Sequence, residues 1–365
     1  MNRQKKVIIA AGGTGGHLFP AQALADDLKQ SSCEVLFAGA NLSTNRYFSK
    51  GKYRFCDVQS ATVFRRNLKA VFQALITLVK GVRQGWILLT QEAPDLVVGF
   101  GSFHSFSVLC AAYLKKVPYV LFESNAFPGK VNRLFSKKAL ATAISFPAAS
   151  KMLRGNVVPV QMPVGCASLQ CSRSEALSYF GLKEDLLTIV VFGGSQGACF
   201  LNECFVQAAY QCAQEKVAFQ VIHFAGNLEA AEKARSFYEE NKILSCVKDF
   251  EPRMELAYKV ASIAVARAGA ATVSELIAFA VPSILVPYPH AAEDHQTKNA
   301  MFLTDEVKGA IYVPESLLTP DVLSAALKEL IGYKCREMKI ALSQYQSRQH
   351  KDLLCHLICR TLQNL

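Results

Sequence analysis

Short apolar runs alternate with longer segments of mixed polarity along the whole chain. In the first half, the runs Val7–Ala11, Val35–Ala38, Leu96–Gly99, Val117–Glu123 and Ala141–Ser145 predict buried strands. In the second half, Leu187–Phe192, Phe219–Phe224, Ser262–Ala266, Ser283–Val286 and Ala310–Tyr312 predict five more. The amphipathic segments between them predict helices. Strand and helix in alternation imply an α/β protein with parallel sheets covered on both faces. Pro159 and Pro163 punctuate an extended stretch near 156–166, so the chain divides there into two doubly wound domains, 1–162 and 163–340. Residues 341–365 read as a final helix that could pack on either domain.

Three of the strands end in glycine clusters. The first is Gly12-Gly13-Thr14-Gly15-Gly16-His17, the second Gly99-Phe100-Gly101-Ser102, the third Gly193-Gly194-Ser195-Gln196-Gly197. Strand, Gly-rich turn and helix point backbone N–H groups at an anionic or polyhydroxylated ligand. The first cluster is neither GxGxxG nor GxxxxGK[ST], and His17 stands where a phosphate-gripping Lys would otherwise be. A tight turn without a ligand is the plain alternative. The third cluster copies the first half a chain away, which suggests two similar halves. Ligands of such sheets bind at the C-terminal ends of strands.

Residues 63–89 show a different periodicity. Phe64, Leu68, Val71, Leu75, Val79, Val82 and Trp86 follow a 3–4 spacing, with Arg65, Arg66, Lys69, Lys80 and Arg83 to one side. This suits a helix lying on an anionic membrane, or equally a helix covering a sheet with its cations in solvent. Gly81 and Gly85 weaken the helix near its end.

Charge sharpens the picture. The 365 residues hold 40 Lys+Arg against 29 Asp+Glu, a net +11. No acid lies between Asp57 and Glu92, nor between Glu123 and Glu175. A one-sided basic field favours membrane lipid or a phosphorylated substrate; nucleic acid ranks last, because no motif for it is present. The hydrophobic fraction is 51%, yet no uncharged apolar run of about 18 residues exists. The basic start enters a strand directly, unlike a signal peptide. Twelve cysteines without CxxC pairs read as reduced core residues of a cytosolic protein, Cys355 and Cys359 included.

In the second half, Arg267-Ala268-Gly269-Ala270-Ala271-Thr272-Val273-Ser274-Glu275 follows an apolar strand. Small residues at a helix start let a diphosphate approach the backbone donors, with Glu275 one turn in to accept ribose hydroxyls. Thr272 and Glu275 also have the spacing of a capping box. Further on, Asp294, His295 and Gln296 could bond a sugar. His290 and His295 lack zinc-protease spacing, so no metal is expected. His104 has no partner in sequence and reads as a loop histidine.

These motifs occur in a fixed order: Gly-Gly-Thr-Gly-Gly-His-Leu-Phe-Pro at 12–20, Phe-Glu-Ser-Asn at 122–125, Gly-Gly-Ser-Gln-Gly-Ala at 193–198, Gly-Ala-Ala-Thr-Val-Ser-Glu at 269–275 and Asp-His-Gln-Thr-Lys-Asn-Ala at 294–300. Together they resemble the MurG family of bacterial cell-wall glycosyltransferases, in glycosyltransferase family 28, across nearly the whole chain. Each motif alone is modest; five in order are specific.

The resemblance implies a GT-B fold, two Rossmann-like domains facing a cleft. It implies inverting transfer of N-acetylglucosamine from UDP-GlcNAc to the C4 hydroxyl of the muramoyl sugar of lipid I, giving lipid II for peptidoglycan synthesis. No cofactor is required. The location is the cytoplasmic side of the inner membrane, held peripherally, with other cell-wall synthesis proteins as further partners. By motif, Thr14, Gly15 and Gly16 line the donor site. His17 is a base or a diphosphate contact. Asn125 meets the donor sugar, Ser195 and Gln196 the diphosphate, and Glu251 the uracil. Ala270, Ala271, Thr272, Val273 and Ser274 hold uracil and phosphate, Glu275 the ribose, and Gln296 with His295 the sugar hydroxyls. Gly99, Gly101 and Ser102 face the acceptor pyrophosphate. The family's membrane patch falls on 63–89, with Phe72 in the set. One departure is clear: the family's Arg at the interdomain crossing is Gly165 here, so either another cation, Arg173 or Arg253, replaces it or that contact is absent. Another lipid-carrier GT-B transferase, or a non-catalytic sugar-nucleotide-binding module, are the alternatives.

Overall fold

The computed structural model describes residues 3–62, 67–163, 171–194, 198–348 and 352–365. They form two compact units, Met1–Gly165 with His350–Leu365, and Cys166–Gln349.

The first unit carries β1 (Lys6–Ala10), α1 (Gly15–Gln30), β2 (Glu34–Gly39), β3 (Arg54–Asp57), α2 (Leu68–Glu92), β4 (Leu96–Gly99), α3 (Ser102–Lys115), β5 (Tyr119–Glu123), α4 (Lys130–Phe135), β6 (Ala141–Ile144) and β7 (Val157–Pro159). Its seven strands are all parallel, in the order β3-β2-β1-β4-β5-β6-β7. The central strands are buried on both faces: Val7, Ile8, Ile9, Val97 and Val98 are inaccessible, as continuous apolar runs require in a parallel sheet.

The second unit carries α5 (Arg173–Phe180), β8 (Leu187–Phe192), α6 (Cys199–Gln214), β9 (Phe219–Phe224), α7 (Leu228–Glu240), β10 (Ser245–Lys248), α8 (Met254–Val260), β11 (Ile263–Ala266), α9 (Ala270–Ala278), β12 (Ser283–Leu285), α10 (His295–Met301), β13 (Ala310–Tyr312), α11 (Pro320–Glu329) and α12 (Cys335–Arg348). Its sheet runs β10-β9-β8-β11-β12-β13, again parallel. In both sheets the strand order reverses beside the first strand, between β1 and β4 and between β8 and β11. Such a reversal opens a crevice above the C-terminal strand ends.

Every strand read from an apolar run is present within two residues. The sheets add β3, β7 and β10, which the apolar runs did not announce. All three are edge strands: β3 (Arg-Phe-Cys-Asp) and β10 (Ser-Cys-Val-Lys) are of mixed polarity and β7 (Val-Val-Pro) is only three residues long, so no apolar run of strand length marks them. The expected helix over 341–365 is two: α12, and α13 (Leu354–Gln363), which packs on α1 of the first unit. Gln161 N–H donates to Asp352 C=O at 3.0 Å, so the returning chain is stitched to the edge of the first sheet.

The region 68–92 is one unbroken helix, α2, through both Gly81 and Gly85. These glycines do not weaken its end but let it settle. A Cβ on Gly81 would lie 1.7 Å from the Gln59 carbonyl oxygen, and one on Gly85 3.1 Å from Ala111 of α3. The helix turns Ala74, Gly81, Gly85, Leu88 and Leu89 inward, with Val71 and Val82 at the border. The expected apolar face is therefore displaced by part of a turn. Phe72, Leu75, Ile76, Val79, Trp86 and Ile87 stand outward, Phe72 at 65% and Val79 at 71% exposure. Lys69, Lys80 and Arg83 are exposed on the same side. Lys115 of α3 covers Trp86, its Nζ 4.5 Å from the ring centroid. Phe64, Arg65 and Arg66 lie outside the described residues, as does the side chain of Leu68.

Candidate active site

In the first unit, two Gly-rich loops meet at the β1/β4 crevice. The first leaves β1 and enters α1 through Thr14, an N-cap whose side chain makes no capping bond. Its carbonyl accepts from the N–H groups of His17 at 3.1 Å and Leu18 at 3.2 Å. Thr14 and Gly16 are exposed, Gly15 is buried and His17 is partly buried. Asn45 Nδ2 donates to the Gly13 carbonyl at 2.6 Å and fixes the loop from β2's side.

The second loop follows β4. Gly99 and Gly101 are buried, and Ser102 opens α3 with φ +63°. His104 is not a loop histidine. It lies in the first turn of α3, its Nδ1 2.9 Å from Ser102 Oγ, and its ring faces Gly12 and Gly13. The partner sits two residues away but on a different loop geometry, so spacing alone could not show it. Burial pushes the imidazole down to about 4, holding it neutral.

Beside these loops, Glu123 at the end of β5 is fully buried. Its carboxylate accepts from Asn125 N–H and Gly129 N–H, both at 2.9 Å, from Asn132 Nδ2 at 2.9 Å and from Asn125 Nδ2 at 3.2 Å. Burial raises its pKa; the donors oppose the shift. The carboxylate thus fixes the turn that presents Asn125.

In the second unit, α9 starts after Gly269, which makes no side-chain cap. The capping box at Thr272 and Glu275 is not formed. Thr272 lies inside the first turn, and Glu275 instead accepts from Tyr258 of α8 at 2.8 Å. The first N–H groups of α9 thus lack a side-chain cap, in a segment built from Ala270 and Ala271. Burial raises Glu275 to about 7.

The next loop is tied down by Arg267, whose Nη1 donates to the carbonyls of Val286 at 3.2 Å and Pro287 at 3.0 Å while it pairs with Glu315. Tyr288 N–H donates to Gln296 Oε1 at 2.9 Å, and Asn299 Nδ2 to Ala268 C=O at 3.1 Å. In the second unit α9 thus starts just past the end of β11, and the segment that carries His295 and Gln296 follows β12, while Glu275 faces Tyr258 of α8. The sequence motifs contained Arg267 and Asn299 without showing what they tether, and gave no sign of Tyr258, because their bonds join segments distant in the chain.

Glu251 turns inward. Its carboxylate takes Lys248 Nζ at 2.6 Å, Tyr179 O–H at 3.1 Å and Arg253 N–H at 2.9 Å. Those donors outweigh burial and hold its pKa below the usual carboxylate range. Of the two cations considered for the place of Gly165, Arg173 is committed to the carbonyls of Lys259 and Val260 at the end of α8. Arg253 lies over Tyr179, 5.1 Å from its ring centroid. Ser195, Gln196 and Gly165 lie outside the described residues. Among the described residues no three His, Cys, Asp or Glu side chains gather as a metal site.

Two family models divide the chain as the sheets do. Residues 7–144 match the glycosyltransferase family 28 N-terminal domain and 188–354 its C-terminal domain. A relative from Protochlamydia amoebophila is 38% identical over 98% of this chain and 96% of its own length. It is named UDP-N-acetylglucosamine--N-acetylmuramyl-(pentapeptide) pyrophosphoryl-undecaprenol N-acetylglucosamine transferase. The chain belongs to glycosyltransferase family 28. A like-named relative from Chlamydia pneumoniae is 31% identical over 99% of this chain and all of its own. The crystal structure of Acinetobacter baumannii MurG superposes with a TM-score of 0.79 at 27% identity, covering 99% of this chain and 100% of that one. The two parallel-sheet units are those of the GT-B glycosyltransferases, and the family 28 chain is an enzyme of the MurG type.

Proposed function

We propose that this family 28 enzyme transfers N-acetylglucosamine from UDP-GlcNAc to the C4 hydroxyl of the muramoyl sugar of lipid I, with inversion. The carrying observation is the α9 start, without a side-chain cap and with Glu275 one turn along. Backbone N–H groups and the positive end of the helix stabilise a diphosphate, and Glu275 accepts the ribose hydroxyls. Ala270 to Ser274 lie against uracil and phosphate, and Gln296 with His295 reads the sugar. Ser195 and Gln196 complete the diphosphate contacts. Glu251 serves the uracil by shaping its loop rather than by offering its carboxylate. Thr14, Gly15, Gly16 and Asn125 contribute from the first unit. The Gly99–Ser102 loop holds the acceptor pyrophosphate. His17 acts as base or diphosphate contact.

The outer arc of α2 is the membrane-facing surface. Phe72, Leu75, Ile76 and Val79 enter the headgroup boundary, while Lys69, Lys80 and Arg83 each contribute roughly 1 kcal/mol near anionic lipid. This arc supports a peripheral place on an anionic membrane surface, which in the proposed reading is the cytoplasmic leaflet.

The test is transfer of radiolabel from UDP-GlcNAc to a lipid I analogue, run with EDTA present. Turnover is expected, because no step relies on a metal-held diphosphate. Absence of turnover both with and without Mg²⁺ would overturn the assignment. The Lys69→Gln, Lys80→Gln, Arg83→Gln triple variant should lose rate on acceptor embedded in anionic vesicles and keep it on a soluble short-chain acceptor. Equal rates in both formats would remove α2 from the membrane.

A further inference from the structure

We propose that His104 is a positioning residue that joins the two Gly-rich loops of the first unit into one acceptor cradle and aims the Ser102 hydroxyl into it. The inference rests on the reading that the Gly99–Ser102 loop receives the acceptor diphosphate.

Three observations carry it. His104 occupies the space that side chains on Gly12 and Gly13 would need. A Cβ on Gly12 would sit 2.7 Å from His104 Cβ, and one on Gly13 2.9 Å from Nδ1. The β1–α1 loop is thus moulded against a side chain of α3. These two loops are the rims of the crevice at which the strand order reverses, so what fixes one against the other fixes the crevice.

Ser102 is the second observation. It holds φ +63°, a left-handed conformation that glycine adopts freely and an L-residue resists. A side chain is kept there against that preference, and its hydroxyl lies 2.9 Å from His104 Nδ1. Ser105 Oγ donates to the Ser102 carbonyl at 3.1 Å and to Gly101's at 2.5 Å, closing the turn from below.

The third is the fixing of α3's first turn from the other side. Ser60 Oγ donates to the Phe103 carbonyl at 2.5 Å. Ala40 N–H donates to the His104 carbonyl at 3.3 Å. The ring of Phe103 lies 3.8 Å from that of His104, centroid to centroid. The imidazole therefore has a fixed seat, and a neutral ring has one N–H to give. An anion at Ser102 selects the tautomer in which Nδ1–H donates to Oγ, leaving the hydroxyl proton to point outward.

The experiment is steady-state kinetics on the full chain with UDP-GlcNAc and a lipid I analogue, alongside thermal melts. His104→Leu should raise the acceptor KM about tenfold, the loss expected of an aimed hydrogen bond to a charged group, with the UDP-GlcNAc KM within about twofold. His104→Asn, which can place an amide N–H near the Nδ1 position, should recover most of the loss. Ser102→Gly relieves the backbone and should melt at the wild-type temperature or above, yet also raise the acceptor KM. An active wild type whose acceptor KM is unmoved by both His104→Leu and Ser102→Gly would reduce the pair to packing and overturn the proposal alone. A wild type that transfers nothing to the analogue would overturn the transferase reading and this proposal with it.

Discussion

The glycine loops after β1 and β8 are near copies in sequence, Gly-Gly-Thr-Gly-Gly and Gly-Gly-Ser-Gln-Gly, yet their glycines answer different demands. At Gly12 the demand is space, because His104 already fills the volume of a side chain. At Gly194 no atom of the described residues lies within 4 Å of a would-be Cβ, and the demand is the backbone itself, at φ +79°. The bracing differs in the same way. The first unit braces its loop directly, with a histidine at the crevice. The second braces the helix behind the loop, through His223 in the core of β9. Asn202 of α6 donates to the Ala225 carbonyl through Nδ2 at 2.9 Å, so its Oδ1 faces His223. Nε2 then carries the proton, and Nδ1 accepts from Tyr238 O–H at 2.9 Å. A repeated motif marks a repeated topology, and its supporting shell is settled separately in each copy.

The largest effect should come from removing the core brace. His223→Leu leaves Tyr238 O–H and Asn202 Oδ1 buried without partners, at a cost of about 3 kcal/mol by urea unfolding. The KM values for both substrates should stay at wild type. A milder loss accompanied by a shifted KM would mean that His223, too, serves a binding loop, and the contrast between units would break.

The glycines are distinguished by a double-mutant cycle. Gly12→Ala should cost about 2–3 kcal/mol in the wild-type background and below about 1 kcal/mol when His104 is also glycine, which removes the Cβ that stands nearest. Gly194→Ala should cost about 1 kcal/mol from its left-handed backbone, the same in either background. Additivity at Gly12 would show that His104 is not what the glycine accommodates.

Acidity separates the units by sign. His104 has a native pKa of about 4 against an ordinary 6.5. The unfolded chain then binds the extra proton, and the first unit should lose about 2 kcal/mol as pH falls from 6.5 to 4. Glu275 is shifted the other way, up to about 7 from 4.5. The native state holds its proton longer, so the second unit should lose a like amount, about 2 kcal/mol, as pH rises from 4.5 to 7. Hydrogen exchange resolved by unit, with His104→Asn and Glu275→Gln flattening the respective slopes, checks both signs.

The alternation of apolar runs and amphipathic segments determined the two parallel-sheet units. Burial on both faces forces a strand to be apolar throughout, and that leaves a mark in the sequence. The loops proposed to face the ligand were legible for a similar reason: backbone donors can reach a diphosphate only where side chains are small, as at Gly12–Gly16 and Gly269–Ala271. The order of these motifs was enough to indicate the family. What the tertiary structure alone decided is who holds these loops in place. Glu123 with Asn132, Arg267 with Glu315, and Tyr258 with Glu275 pair residues nine to forty-eight positions apart, at spacings no local rule anticipates. His104 shows the limit most plainly. Its partner Ser102 is two residues away, but the bond exists only because Ser102 takes a left-handed turn and Gly12 and Gly13 leave room for the ring. The outward arc of α2 was settled the same way, since periodicity gives an apolar face, and only the close approach of α3 to Gly81 and Gly85 fixes which side of the helix is turned to solvent.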